Sequence, residues 1–178
     1  MTNFLHPSSK SGVVSIASLD THIQVDAQYN PKELQVDKTV PWQKKSQANK
    51  TQETGIQLEF TGAEGRSLTL ELLFDGYETK SSVAGKVDTL NTMASVLEPG
   101  SADETKRRPH LCVVTWGTTV PTFKCVIESL SVKYTMFSDQ GVPLRATCTV
   151  KLKEADTVTG QSQSSGSGGA AGGGGGGG

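Results

Sequence analysis

Leu144-Arg145-Ala146-Thr147-Cys148-Thr149-Val150-Lys151-Leu152-Lys153 decides how this chain folds. Leu144, Ala146, Cys148, Val150 and Leu152 alternate with Arg145, Thr147, Thr149, Lys151 and Lys153. Successive side chains of a strand point to opposite faces, so the alternation predicts an antiparallel strand with one face in a core. The other face is wet or meets something polar. Just upstream, Phe123, Cys125 and Ile127 are apolar at odd positions, whereas Leu130, Val132, Tyr134 and Met136 are apolar at even ones. A regular strand cannot change faces, so a β-bulge or bend is predicted near Ile127 to Ser129. Ser138-Asp139-Gln140-Gly141 joins the two runs as a turn, with Gly141 free to take a positive φ. This is the closing hairpin.

Working towards the N-terminus, Leu111 to Trp116 is apolar on both faces, as a central strand requires. Ile56, Leu58 and Phe60, then Leu68, Leu70, Leu72 and Phe74, form two further alternating runs around Gly62-Ala63-Glu64-Gly65. They read as a second hairpin. Ile23, Val25, Ala27 and Tyr29 alternate until Asn30-Pro31 stops the run. One segment differs. Val83, Val87, Leu90, Ala94 and Leu97 follow a helical stripe. Ser81 or Ser82 stands at its start and Glu98-Pro99-Gly100 at its end, placing a helix at about 82–98. The segment Asn30 to Thr54 is long and polar, with Leu34, Val36, Val40 and Trp42 as its few apolar anchors. A loop of that length is usually functional or disordered.

The chain has 178 residues, with 17 Lys and Arg against 18 Asp and Glu. One folded domain is expected over 13–156, with an extended arm over 30–54. Residues 1–12 are expected to be flexible. Residues 157–178 are expected to form a Gly/Ser-rich tail or linker, too poor in apolar surface to offset its ordering entropy. The near-neutral balance argues against a globally basic nucleic-acid binder. No apolar run approaches the ~18 residues of a membrane span, and no secretory signal pattern is visible at the start. Cys112, Cys125 and Cys148 are an odd set without a C-x-x-C, which suits buried thiols in a reducing compartment.

Catalytic chemistry finds little support. The histidines are His6, His22 and His110, and no nucleophile-elbow, zinc-protease or P-loop pattern occurs. The glycine-rich stretch matches G-x-G-x-x-G trivially, following no strand and opening no helix. His110 and Cys112 can share a strand face, but further ligands at metal spacing are lacking, so a strand start and a small buried thiol are the better reading. Lys44-Lys45 with Lys50, and Lys106-Arg107-Arg108, are the basic clusters. Beside Trp42 they could grip phosphates and stack a base, or simply be solvated loops, which the overall charge favours. Asn49-Lys50-Thr51 is a glycosylation pattern with no secretory context to give it meaning. No catalytic residue, metal ligand or cofactor is expected.

Ile56 to Glu78, closing in Leu72-Leu73-Phe74-Asp75-Gly76-Tyr77-Glu78, resembles the tube-protein family of contractile injection systems. There a strand ends in a similar Leu-Phe-Asp-x-Tyr-Glu sequence and enters a helix beginning with Val, as Ser82-Val83-Ala84 does here. Tyr29-Asn30-Pro31-Lys32-Glu33 resembles the family's Tyr-Asn-Pro-x-Glu element. Pro109 to Gly117 is similar to its strand ending in Trp-Gly. Phe123 to Leu152 resembles its closing hairpin. The resemblance covers about Ser15 to Glu154. It implies a mainly β fold in which two packed antiparallel sheets form a β-barrel-like body with one α-helix. It also implies a structural, non-enzymatic role: a homo-hexameric layer at the base of the inner tube that joins the spike to the tube and nucleates assembly. The implied partners are the spike trimer, the inner-tube or a second tube-initiator protein, and baseplate components. Neither a membrane nor nucleic acid is expected among them. Assembly in the bacterial cytoplasm is implied, in a phage tail-like particle that is released or membrane-anchored. Baseplate-type members often carry a LysM module after a linker. Here Ser165 to Gly178 stands where that linker would begin, so the module is either absent or cut off from this sequence.

Two surfaces are singled out. Asn30, Pro31, Val40, Trp42, Lys44 and Lys45 mark a candidate intersubunit arm, since the segment lacks the apolar residues to pack into a monomer core. Arg145, Thr147, Thr149, Lys151 and Lys153 mark a candidate face towards a water-filled lumen. The rival readings are the repeating inner-tube subunit, a single-stranded nucleic-acid binder on an OB-like barrel, and a small enzyme, which lacks a catalytic constellation.

Overall fold

The structure, a computed structural model, describes residues 12–45, 55–118 and 120–160. The expectations for His6, Asn49-Lys50-Thr51, the end of the arm and most of the N- and C-terminal segments lie outside the described residues. The fold is mainly β with one α-helix, built on a curled antiparallel sheet that forms a half-barrel. Its strands are β1 (Val14–Ser18), β2 (Gln24–Asp26), β3 (Gln35–Asp37), β6 (Ser67–Asp75), β7 (Cys112–Trp116), β8 (Val120–Phe137) and β9 (Pro143–Glu154). They lie in the order β2-β1-β7-β8-β9-β6-β3. A second, small sheet pairs β4 (Trp42–Lys44) with β5 (Leu58–Phe60).

The closing hairpin is as its alternation predicts. Leu144, Ala146, Cys148, Val150 and Leu152 are buried, and the last four pair with the equally buried Phe74, Leu72, Leu70 and Leu68 of β6. β8 carries a bulge between Ile127 and Ser129, where Glu128 has no partner on β9. The extra residue moves the buried set from Phe123, Cys125 and Ile127 to Leu130 and Val132, which pack against the core from half-buried positions. The Ser138 hydroxyl accepts from the amides of Gln140 and Val142, and Gly141 sits at φ 77°, a left-handed conformation that glycine adopts without strain. β7 lies between β1 and β8, with Cys112, Val113 and Val114 all buried. β1 has no clean alternation and escaped sequence reading; all five of its residues are buried because both flanks are covered.

Two expectations need correction. Ile56–Phe60 and Leu68–Phe74 are not a hairpin. β5 pairs with β4, whereas β6 pairs with β9 on one side and β3 on the other. The long β9 offers β6 a nine-residue register with four buried apolar pairs, which three-residue β5 cannot match. Ile56, Leu58 and Phe60 therefore stay exposed. The helix is also shorter than its stripe. α1 spans Ala84–Ala94 and buries Val87, Leu90 and Met93, with Val83 buried just before it. Ser82 Oγ accepts from the Ala84 amide at its start. Ser95 turns extended because the next residues bond elsewhere: Leu97 N–H donates to Arg108 O and Val96 bridges to Pro109. Leu97 thus lies beyond the helix.

Candidate assembly surfaces

The outer face of the half-barrel is built by register. On β9, Arg145, Thr147, Thr149, Lys151 and Lys153 lie opposite Asp75, Leu73, Glu71, Thr69 and Ser67 of β6. β8 contributes Ser129, Ser131 and Lys133, and β3 adds Gln35 and Asp37. The sequence-predicted lumen residues thus share one continuous polar face, and the structure adds partners that period-two reading of a single strand could not supply. Arg145 bonds Asp75 at 2.6 Å, and Lys151 lies 3.6 Å from Glu128. The four cations Lys133, Arg145, Lys151 and Lys153 thus share the face with four carboxylates, Asp37, Glu71, Asp75 and Glu128, two of them in the pairs just given. The face is charge-balanced rather than basic. The Asp75 carboxyl is held below its ordinary range, first by the Tyr77 amide and then by Arg145.

Beside this face runs an open groove of about 430 Å³, bordered by Tyr29, Asn30, Pro31 and Glu33 on one bank and by Glu71 and Thr147 on the other. Asn30 is tied to the body. Its Oδ1 accepts from Val14 N–H at 3.1 Å, and its Nδ2 donates to Gly12 O at 2.7 Å. Asn30 and Pro31 therefore sit at the root of the arm, away from the end that carries Trp42.

That end is the β4–β5 ribbon. Trp42 pairs with Phe60 and Lys44 with Leu58. The Trp42 and Phe60 rings meet edge-to-face at 5.5 Å, a favourable geometry for aromatic pairs. Yet Trp42 remains 57% exposed, Phe60 51%, Leu58 56% and Ile56 77%. Val40 is exposed too, as are Lys44 and Lys45. A two-stranded ribbon alone is marginal in water, and a contiguous exposed apolar face marks an interaction site. The sheet itself ends in two short strands, β2 and β3, each of three residues. Short edges limit uncontrolled strand pairing.

The chemistry-bearing residues are accounted for structurally. Ser18 Oγ accepts from the amides of Asp20 and Thr21, so its own proton goes to His110 Nδ1 at 2.8 Å. Burial pushes the His110 pKa down, against an opposing pull from Asp20. Cys112 and Cys148 are buried and pushed up to about 12 and about 11, and burial likewise raises Cys125; none is poised as a nucleophile. Among the described residues, no group of three or more His, Cys, Asp or Glu is placed to hold a metal ion. Lys106 pairs with Glu98, Arg107 with Glu104, and Arg108 with Asp20, so the second basic cluster faces its own carboxylates. No helix among the described residues is long and apolar enough to cross a membrane.

A model of the family described as contractile injection system tube protein matches residues 14–163. This chain belongs to that family. The match spans the whole half-barrel, from β1 to beyond β9, including the ribbon. No individual curated protein matches the chain at a significant level. Tube proteins of contractile injection systems are structural and assemble with other tube or baseplate components.

Proposed function

We propose that six copies of this tube protein form one layer at the base of the inner tube, joining the spike trimer to the tube and nucleating its polymerisation. The observation that carries assembly is the β4–β5 ribbon, whose apolar face finds no core within the described protomer. A subunit with an uncovered apolar arm on a body with two short sheet edges is suited to heterologous, ring-closing contacts. In this reading residues 13–156 are the ring-forming domain, and the arm of 30–54, rooted by β3 in the protomer's own sheet, reaches a neighbour through the β4–β5 ribbon. The polar face of Arg145, Thr147, Thr149, Lys151 and Lys153 lines the channel. The Gly/Ser-rich stretch after the domain favours the basal layer over the repeating tube subunit, which needs no such spacer. Assembly takes place in the bacterial cytoplasm.

Copy number is the test. Particles of different tube length, labelled on this protein and imaged individually, should each carry six copies in one layer. A count that grows with tube length would assign the protein to the repeating tube. Deleting residues 40–52 should leave the seven-stranded sheet folded by circular dichroism and abolish layer formation. Unfolding of the domain would instead show that the arm belongs to the protomer's own core.

A further inference from the structure

The half-barrel has two ends, and α1 fills only one. There Val83 N–H donates to Pro143 O, and Lys86 lies over the Phe74 ring at 5.1 Å. At the other end of β6 lies an unfilled hollow of about 110 Å³. Its walls are Val36, Leu68, Val114, Trp116, Val120 and Phe123, with the Arg66 guanidinium 5.4 Å from the Phe123 ring at the rim. An apolar cavity of ~150 Å³ takes a benzene molecule, so this hollow suits one aliphatic side chain or the edge of an aromatic ring.

The ribbon springs from the same rim. Its legs are residues 38–41, after the Asp37–Ser67 pair, and residues 61–66. Both are held. Thr61 N–H donates to Pro41 O at 3.2 Å and closes the stem. Gly65 packs so tightly on Glu154 that an added Cβ would lie 2.9 Å from its carbonyl oxygen. Arg66 is clamped to the same Glu154 by its backbone amide and its guanidinium. The legs therefore fix the ribbon's exit, and in the folded protomer its apolar face stands in solvent while the hollow stays open.

We infer that the apolar face of one copy's ribbon plugs the open end of the adjacent copy's half-barrel. The inference rests on the ring assembly proposed above and names the surface that receives the arm. Trp42 and Phe60 alone expose roughly 200 Å², a substantial central part of the ~800 Å² per partner of a standard interface. Knob and hole lie on different surfaces of the same chain, so in the ring assembly proposed above the contact is heterologous and repeats from copy to copy until the ring closes. The ribbon supplies the apolar core of the contact; Lys44, opposite Leu58 on the same face, falls at its border, while Glu59 shares the other face with Gln43.

Cross-linking tests this directly. The three native cysteines are fully buried, so a short bismaleimide addresses introduced ones. Full-length Leu58→Cys and Val120→Cys chains, one carrying a size tag, are mixed and assembled with the tube partner. The expected product is the mixed Leu58→Cys/Val120→Cys dimer, formed only in assembled rings. Narrowing the hollow with Val120→Trp should lower the assembled fraction roughly tenfold or more, with the melting transition of the free protomer unchanged. If the cross-link forms only within a chain carrying both cysteines, the ribbon closes its own hollow and the inference is overturned. Rings without any Leu58–Val120 product overturn it as well, while leaving the ring assembly standing. A chain that never forms rings, even with the tube partner, overturns the ring assembly and this contact with it.

Discussion

Replacing Glu154 by Gln tests the clamp that holds the second leg of the ribbon. Glu154 Oε2 accepts from the Arg66 amide at 2.8 Å and Oε1 from its guanidinium at 2.7 Å, while Glu154 N–H donates to Arg66 O at 2.8 Å. The Arg66 side chain, then its amide, holds the Glu154 carboxyl down to about 2 from an ordinary 4.5. Taken at face value that difference is worth ~3 kcal/mol. The two side chains are 43% and 33% exposed, however, and solvent screens such a pair to ~1 kcal/mol. A carboxylate with a depressed folded pKa stabilises fully above its unfolded pKa of about 4.5, and that stability fades as pH falls towards about 2. Glu154→Gln should therefore lower the melting temperature by ~2–4 °C at pH 7. The gap between variant and wild type should shrink below about pH 4.5. Differential scanning calorimetry at pH 7, 5, 4 and 3.5 measures it. A gap that persists undiminished at pH 3.5 would falsify the charge-assisted clamp, and no gap at pH 7 would show that the pair contributes nothing.

The polar and apolar faces of β9 should respond in opposite ways. Lys151→Glu with Lys153→Glu should fold normally, since exposed charges contribute little individually, yet it shifts the balanced outer face by four charges per protomer, and cargo passage should become salt-dependent. Val150→Asp places an unpaired carboxylate at a fully buried position, costing several kcal/mol by rough estimate; a soluble, cooperatively melting Val150→Asp protein would mean that the faces are reversed. Leu90→Ala empties a fully buried site under α1 and should cost ~2–5 kcal/mol in urea unfolding; a cost below ~1 kcal/mol would show that the helix does not seal its end of the half-barrel. The neutral, buried His110 must take a proton as the protein unfolds in acid, so stability should fall as pH drops through about 6.5. His110→Asn, whose amide oxygen can accept from Ser18 in place of Nδ1, should flatten that slope in chemical denaturation, and an unchanged slope would exclude His110 as its source.

Much of this tube protein was legible in its sequence because a strand's side-chain period is local. Leu144 to Lys153 disclosed which residues are core and which are polar. The odd-to-even switch in Phe123 to Met136 marks the bulge in the sequence itself, since a misplaced register would bury charge. Gly141 marked the turn for a conformational reason that holds in any context. Pairing was a different matter. Nothing near Ile56 to Phe60 says that Trp42 rather than Leu68 is its partner, because that choice is settled by the greater burial β6 gains against distant β9. The helix likewise ended where Leu97 and Val96 found Arg108 and Pro109, groups remote in sequence. The carboxylates that balance Arg145, Lys151 and Lys153 come from β3, β6 and β8, and only the register brings them onto one face. The hollow and the ribbon are tertiary facts of the same kind. Apolar residues in sequence suggest burial, and only the curled geometry of the sheet shows which of them the protomer leaves uncovered.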